Sequence, residues 1–152
     1  MPYADIGEQL AASAVTWDDL KWIKSAWGDD NPLILKGVHC AYDAKKAEDF
    51  GASGVIWSNH GGRQQDRVPP SLHIVEQEMP LMGSSKLDFM MDGGIRNGTD
   101  VLIALSYGLK AVGIGRVTAA GIGAGGHLGL TCAFEIMESE LRRAMSLVGV
   151  QS

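Results

Sequence analysis

Apolar runs of strand length alternate along this chain with longer amphipathic segments. Four of these runs are bounded by glycine, proline or polar residues and carry few charges, which is typical of buried β-strands. They are PLILKGV at 32–38, GVIWS at 54–58, LDFMMDGG at 87–94 and AVGIGR at 111–116. Because apolar residues occupy most positions of each run, the pattern predicts strands that are covered on both faces.

Helical segments lie between and around the predicted strands. The first is predicted over residues 16–27, where Thr16 can cap the helix and acidic residues occupy the first turn. Further helices are predicted over 41–50, over 71–79 and from Asn97 to Gly108, and the longest over 130–148 after a glycine-rich connection. The order along the chain is one helix followed by four strand–helix units.

Strands that alternate with helices predict right-handed crossovers and a parallel sheet, so the expected fold class is α/β. Two architectures accommodate four such units: a small open doubly wound sheet, or half of a (βα)₈ barrel. Every predicted strand ends in a polar or glycine-rich segment, and four such ends in a row favour the mouth of a barrel. We therefore expect residues 1–152 to form a single half-barrel, with the helix at about 16–27 in front of it.

The composition argues against several classes of function. The 152-residue chain has a formal net charge of −5 and 45% hydrophobic residues, and its basic residues do not cluster as nucleic-acid binding requires. No apolar run reaches the roughly 20 residues of a membrane span, and residues 1–10 lack the pattern of a secretory signal. Cys40, Cys132 and the four histidines show no metal-ligand spacing. We expect a cytoplasmic protein with free thiols and no metal.

The ends of the third and fourth strands have the composition of phosphate-binding loops. In DGGIRNGTD, residues 92–100, glycines allow the backbone to approach an anion, and the helix N-terminus that follows adds its dipole. GIGR, residues 113–116, combines glycines with Arg116, as the first loop does with Arg96. Either segment alone is equally consistent with a tight turn or a strand exit. Their occurrence on consecutive strands favours phosphate, which barrels often bind after strands 7 and 8.

The segment SNHGGRQ, residues 58–64, places a histidine and an arginine at the end of the second strand. His60 is a candidate general base, because imidazole titrates near neutrality, and Arg63 can bind a carboxylate with two parallel hydrogen bonds. A histidine satisfied by hydrogen bonds within a loop is the alternative interpretation.

Lys36 and Asp92 are charged residues in otherwise apolar strands. An unpaired charge is costly to bury, so each of them needs a partner or an exit to water. One interpretation is that both face a ligand at the mouth of a barrel. The alternative is that Lys36 extends to solvent at the strand end and Asp92 caps the next turn.

Together these segments resemble the FMN-dependent α-hydroxy acid oxidases and dehydrogenases, the family of glycolate oxidase and the flavin-type lactate dehydrogenases. The family signature SNHG[AG]RQ is present unbroken at residues 58–64. The segments TWDDLKWI, PLILKGV, GRQQDRVP, DGGIRNGTDVLIALSYGLKAVGIGR and ELRRAMSLVG match in the family's order, from about Thr16 to Gly149. The resemblance implies the C-terminal half, strands 5 to 8, of a (βα)₈ barrel that binds FMN.

The resemblance also implies a role for each candidate residue. His60 would be the catalytic base, and Arg63 would bind the carboxylate of a small (S)-2-hydroxy acid that is oxidised to the 2-oxo acid. The remaining candidates would bind FMN: Lys36 at the N1–O2 edge of the flavin, Ser58 beside the flavin, and Asp92, Gly93, Gly94, Ile95, Arg96, Gly115 and Arg116 around the ribityl phosphate.

The chain departs from the family in several ways. Family members are usually more than twice as long, and their N-terminal half supplies active-site tyrosines, a second substrate arginine and the aspartate that pairs with the histidine. Val117 stands where the family usually has proline, and GGHLG at 125–129 where it has GGE-x-G. The isolated chain is therefore expected to be inactive or weakly active.

A half-barrel also exposes sheet edges, which either a missing N-terminal half or a second copy of the chain would cover. The alternative function is consequently a self-standing half-barrel that binds phosphate or FMN and assembles into a dimer without catalysis.

Overall fold

All four predicted strands are present, and they form one parallel sheet in the order β1-β2-β3-β4. The computed structural model describes residues 15–151, so the expectation for residues 1–10 falls outside the described residues. The strands are β1 (Ile34–Val38), β2 (Gly54–Trp57), β3 (Asp88–Asp92) and β4 (Ala111–Gly113). Their spatial order repeats their order in the sequence, so the predicted α/β class and parallel sheet are confirmed.

Five helices flank the strands within the described part of the chain. They are α1 (Asp19–Trp27), α2 (Ala41–Asp49), α3 (Ser71–Glu78), α4 (Gly98–Ser106) and α5 (Arg116–Val148), with 3₁₀ turns at His60–Gly62 and Met79–Leu81. As the sequence predicts, α4 opens after Asn97, whose side chain accepts the N–H of Asp100 at 2.9 Å. The Asp100 carboxylate accepts the N–H of Asn97 in return, which completes a capping box.

The start of α1 differs from the prediction. The backbone N–H and the hydroxyl of Thr16 both donate to the carboxylate of Asp19, at 2.8 and 2.7 Å, so Thr16 is a donor and not the accepting cap. Both bonds lower the pKa of Asp19, and the bond from the backbone N–H has the larger effect. The helix accordingly begins at Asp19 and not at Thr16.

The glycine-rich connection predicted after the fourth strand is itself helical. α5 starts at Arg116 and includes this segment, but its backbone leaves helical geometry at Gly125 and Gly126, where two helical arms meet. The arms cross at Gly121 and Gly129, and a Cβ on either residue would collide with the backbone of the other arm. These glycines therefore permit a close helix–helix crossing, a tertiary contact that residue types alone do not distinguish from a loop.

By length and composition, α5 is the one helix within residues 15–151 that could cross a membrane. Its charge-free stretch, residues 117–134, contains the break at Gly125–Gly126, and the arm beyond this stretch carries glutamates and arginines. A membrane span requires about 20 continuous apolar residues, because lipid satisfies no backbone group at a break. Gly98 of α4 lies against the backbone of residues 137–141, so we interpret α5 as a helical hairpin packed on α4.

The outer face of the sheet carries the hydrophobic core. Val55 and Trp57 of β2 and Phe89 and Met91 of β3 are buried beneath the helices. The rings of Trp57 and Phe89 stack with centroids 6.0 Å apart. Since successive side chains of a strand point to opposite faces, the residues between these four point to the inner face.

The inner face is open, contrary to the expectation that both faces are covered. Lys36, Ile56, Met90 and Ala111 are partners in the strand register and therefore share this face. Lys36 and Ala111 are exposed, Ile56 and Met90 are half-buried, and Ile34, on the same face of β1, is 45% exposed. The apolar strands suit the interior of a barrel. Within the described residues the four-stranded sheet forms one wall of that interior, and the inner face of this wall is uncovered.

Candidate active site

The carboxyl ends of the strands meet at one edge of the sheet and border an open cleft of about 520 Å³. All the candidate residues from the sequence except Ser58 line this cleft: Lys36, His60, Arg63, Asp92, Gly93, Gly94, Ile95, Arg96, Gly115 and Arg116. They come from the ends of all four strands, which is where (βα)₈ barrels carry their sites.

An ion pair forms part of the lining. Lys36 Nζ lies 2.9 Å from Asp92 Oδ2, which joins β1 to β3 across β2. The side chains are 43% and 25% exposed, so solvent partly screens their attraction. Lys36 therefore has the partner that a lysine in an apolar strand needs. The two carboxylate oxygens of Asp92 contact Lys36 and Ser58 and not the turn that follows β3.

Ser58 connects the ion pair to the histidine loop from beneath the lining. Its hydroxyl accepts from Lys36 Nζ at 3.0 Å and from the backbone N–H of His60 at 3.1 Å, and it donates to Asp92 Oδ1. A hydroxyl has one hydrogen and two acceptor positions, so its capacity is fully used within the protein. Ser58 is 1% exposed, and the structure places it where it holds three cleft residues together.

The loop after β2 presents His60 and Arg63 to solvent at the cleft. His60 has a left-handed backbone with a φ of 53°, which is uncommon for residues other than glycine. The side chain of Asn59 supports this turn by accepting the N–H of Gly61 at 2.9 Å. Both His60 and Arg63 are exposed, so their side chains are available to a ligand.

The N-terminus of α4 is closed to an anion, contrary to the expectation that its dipole contributes to phosphate binding. The N–H of Gly98 donates to the carboxylate of Glu140 at 3.0 Å. The N–H groups of Arg96 and Asn97 both donate to the carboxylate of Asp100, at 2.8 and 3.3 Å. Two carboxylates therefore occupy the positive end of the helix dipole and would repel a phosphate there.

The N-terminus of α5, in contrast, opens onto the cleft. Its N-cap residue is Gly115, which has no side chain that could cap the helix, and Gly115, Arg116 and Ala119 all line the cleft. The first N–H groups of a helix have no partners within the helix, and with the dipole they favour an anion. The arginine at this helix start adds a charged fork of donors, so an anion is expected at α5 and not at α4.

Comparisons with known proteins bear on this fold and cleft. The family model described as FMN-dependent dehydrogenase matches residues 2–152. A 2-hydroxyacid oxidase of Dictyostelium discoideum is 42% identical over 137 residues, which cover 90% of this chain and 34% of the relative. An L-lactate dehydrogenase of Caulobacter vibrioides is 43% identical over 138 residues, covering 91% of this chain and 35% of the relative.

Solved structures agree with the sequence relatives. A crystal structure of mandelate oxidase with benzoyl-formic acid matches with a TM-score of 0.82 and 36% identity, over 90% of this chain and 40% of that one. The fold and the cleft therefore define the C-terminal half of a (βα)₈ barrel, with a basic site at its mouth. The chain belongs to the FMN-dependent dehydrogenase family, as the sequence predicts, and it spans 34% and 35% of the two relatives' length.

The described residues fit the phosphate-bearing cofactor of this family. Four lysine or arginine side chains, one histidine and one acidic side chain line the cleft, in a chain whose net charge is −5. A Cβ at Gly94 or Gly115 would meet no protein atom within 4 Å, so the space beside their backbone remains free for a ligand. The volume of about 520 Å³ also lies within the roughly 300–1,000 Å³ usual for small-molecule sites.

Several residues that shape the site were missed at the level of sequence. Gly61, Gly113, Ile114 and Ala119 also line the cleft. Asn59 also supports the site, and asparagine before a glycine-bearing turn is a sequence signal for the Asx turn that it forms. His39 and Ser71, which hydrogen-bond to the backbone of the histidine loop, lie outside every motif and carry no signal in the sequence.

Proposed function

We propose that this chain forms the base-bearing and phosphate-holding half of an enzyme that oxidises a small (S)-2-hydroxy acid to the 2-oxo acid with FMN. The observation that carries the proposal is the cleft itself, in which His60 and Arg63 share one loop beside a basic, glycine-rich mouth. The names of the two relatives, a 2-hydroxyacid oxidase and an L-lactate dehydrogenase, support this chemistry.

In this proposal one loop binds both polar groups of the substrate. The guanidinium of Arg63 pairs with the carboxylate through two parallel hydrogen bonds. The neutral imidazole of His60 accepts a proton from the 2-hydroxy acid as general base. The carboxylate group and the hydroxyl-bearing carbon of a 2-hydroxy acid are adjacent. A general base and a carboxylate-binding arginine that are separated by one 3₁₀ turn therefore suit this substrate class.

The ends of β3 and β4 provide the cofactor site. FMN, when bound, supplies the acceptor for the two electrons that leave the substrate. Arg96 and Arg116 hold the phosphate, together with the backbone at Gly94 and Gly115 and the uncapped start of α5.

The ion pair fixes the charge at the centre of the site. Asp92 and Ser58 hold the ammonium of Lys36 from two directions, at 2.9 and 3.0 Å. A positive charge positioned in this way stabilises negative charge on the ring system bound beside it. The ammonium of Lys36 is therefore already held in place before a ligand enters.

We expect the isolated chain to bind FMN but to oxidise little or no substrate. The inner face of the sheet is open, so water reaches the cleft and weakens every electrostatic interaction in it. Two copies that closed a barrel would bring two basic clefts face to face, which argues against the dimeric module.

The proposal is tested by a chimera in which this chain replaces the matching segment of the Dictyostelium discoideum 2-hydroxyacid oxidase. We expect the chimera to bind FMN and to oxidise lactate or glycolate. His60→Gln should retain FMN and lower kcat at least about 100-fold. Arg67→Gln is the control, because Arg67 is exposed and lies outside the cleft lining. A chimera that binds FMN stoichiometrically but oxidises no 2-hydroxy acid would contradict the proposal.

A further inference from the structure

The peptide unit between Ser58 and Asn59 is held at both of its polar groups by side chains from outside the loop. Its carbonyl oxygen lies 2.7 Å from Nε2 of His39, and its N–H donates to Oγ of Ser71 at 3.1 Å. His39 follows β1 and Ser71 opens α3, so two separate elements fix one peptide plane. We call these two contacts the peptide clamp.

In the contact between His39 and the carbonyl of Ser58, the histidine is the hydrogen-bond donor. A carbonyl oxygen only accepts, so Nε2 of His39 carries the hydrogen. The neutral Nε2–H tautomer and the imidazolium both donate this bond, so the contact does not depend on the charge of the ring. A glutamine side chain also offers an N–H donor, whereas leucine offers none.

The end of the β1–β2 ladder explains why a side chain serves this purpose here. The pairing register shifts between Lys36 and Val38, where Gly37 has a φ of 90°. The last backbone bond, from the N–H of Ser58 to the carbonyl of Val38, is long at 3.4 Å. The His39 contact extends the link between the two strands by one peptide beyond this weak bond.

The clamp acts on His60 through the adjoining backbone. A non-glycine residue with a φ of 53° persists only where its surroundings determine the conformation. The clamped peptide lies directly before the turn, and the Asn59 side chain and the Ser58 hydroxyl then hold the N–H groups of Gly61 and His60. Release of the clamped peptide would let the Asn59 side chain move away from the N–H of Gly61, and the turn that follows would lose this support.

We propose that His39 is a positioning residue: with Ser71 it fixes the Ser58–Asn59 peptide and thereby keeps His60 in the left-handed conformation that presents its side chain at the cleft. The inference rests on the proposed function only for its consequence in catalysis. The clamp itself is a property of the backbone and is measured without cofactor or substrate.

Hydrogen exchange at the amides of Asn59 and His60 measures the clamp directly, because the Asn59 amide donates to Ser71 within the clamp and the His60 amide donates to Ser58 beside it. We expect His39→Leu to speed exchange at both amides about tenfold, while the β2 amides of Val55 and Ile56 stay within about twofold. In the same samples, the ring-proton NMR signals of His60 should shift.

Three further variants separate positioning from a general loss of stability. His39→Gln keeps a donor and should restore the exchange rates to within about threefold of the parent values. The ring-proton signals of His60 should return to their positions in the parent. Ser71→Ala removes the other half of the clamp and should speed exchange at His60 as His39→Leu does. His73→Leu removes an exposed histidine of α3 and should change nothing at the turn.

Two results would overturn the proposal. One is unchanged exchange at Asn59 and His60 in both His39→Leu and Ser71→Ala. The other is an increase shared equally by the β2 amides, which would mean global destabilisation. Failure of the parent chain to bind FMN would instead count against the proposed function, and the exchange result would stand on its own.

Discussion

Lys36 and Asp92 form an ion pair at 2.9 Å that crosses β2 and joins the first strand of the sheet to the third. The hydroxyl of Ser58 contacts both members of the pair from below. Lys36 and Asp92, the two charged strand residues that line the cleft, therefore form one unit, and each accounts for the presence of the other. This unit sets the electrostatics at the centre of the cleft.

Removal of the lysine should affect both ligand binding and stability. We expect Lys36→Met to weaken FMN binding about tenfold and to lower the free energy of unfolding by about 1 kcal/mol, because Asp92 loses its cation. Flavin fluorescence titration and urea denaturation measure the two effects. Lys110→Met is the matched control, since Lys110 forms an exposed pair with Asp88 at 3.5 Å outside the cleft. Equal effects of the two variants would contradict a special role for the Lys36–Asp92 pair.

Gly93 and Gly94 share a φ of 89° but differ in their surroundings. A Cβ at Gly93 would lie 3.0 Å from both Asn59 Oδ1 and Ser71 Oγ, whereas a Cβ at Gly94 would meet no atom within 4 Å. Both alanine variants should lose about 1 kcal/mol of stability to the left-handed backbone. Gly93→Ala should lose a further 1 kcal/mol, roughly, because it crowds Asn59 of the histidine loop and Ser71 at the start of α3. Equal urea midpoints for the two variants would show that Asn59 and Ser71 move aside without loss of stability.

Arg116 should contribute to affinity through the phosphate alone. We expect Arg116→Ala to weaken FMN binding about tenfold or more, and riboflavin binding, which involves no phosphate, less than about twofold. The FMN affinity of the variant should also depend less on salt, because one charge contact is gone. Arg67→Ala, outside the lining, should alter neither ligand. A loss of riboflavin affinity as large as the loss of FMN affinity would place Arg116 elsewhere in the site.

Glu48 should make the stability of the chain depend on pH. Its carboxylate accepts the N–H of Lys86 at 2.8 Å and the hydroxyl of Ser85 at 2.7 Å, and these bonds lower its pKa from 4.5. Because the folded pKa is below the unfolded one, the stabilisation is complete above about pH 4.5 and is lost as the pH falls through the folded pKa.

Glu48→Gln should therefore be less stable than the parent at pH 6, with a difference that shrinks towards pH 3. Urea denaturation at several pH values measures this, and Asp49→Asn, an exposed neighbour on the same helix, is the control. A difference that stays constant across this range would show that the carboxylate charge contributes nothing.

Much of this fold could be predicted from the sequence, because local patterns determine it. The apolar runs located the strands, and the segment that begins at Asn97 located the start of α4. Most of the candidate site residues came together for a topological reason. In a parallel sheet all strands end at the same edge, so polar residues at four strand ends meet whatever their separation along the chain.

The remaining features depend on contacts between distant parts of the chain. The helical state of the glycine-rich segment depends on the crossing of Gly121 and Gly129. The closed start of α4 depends on Glu140, which is on another helix. The open inner face of the sheet depends on what else closes the barrel, and no local pattern encodes that.

The most direct measurement of the central claim, that this half-barrel holds an FMN site, is a titration of the purified chain with FMN followed by removal of unbound flavin. The account predicts a yellow protein that retains about one flavin per chain, with absorption at about 450 nm. Arg116→Ala should retain clearly less flavin, and Arg67→Ala should match the parent. A folded chain that remains colourless at saturating FMN would contradict the account.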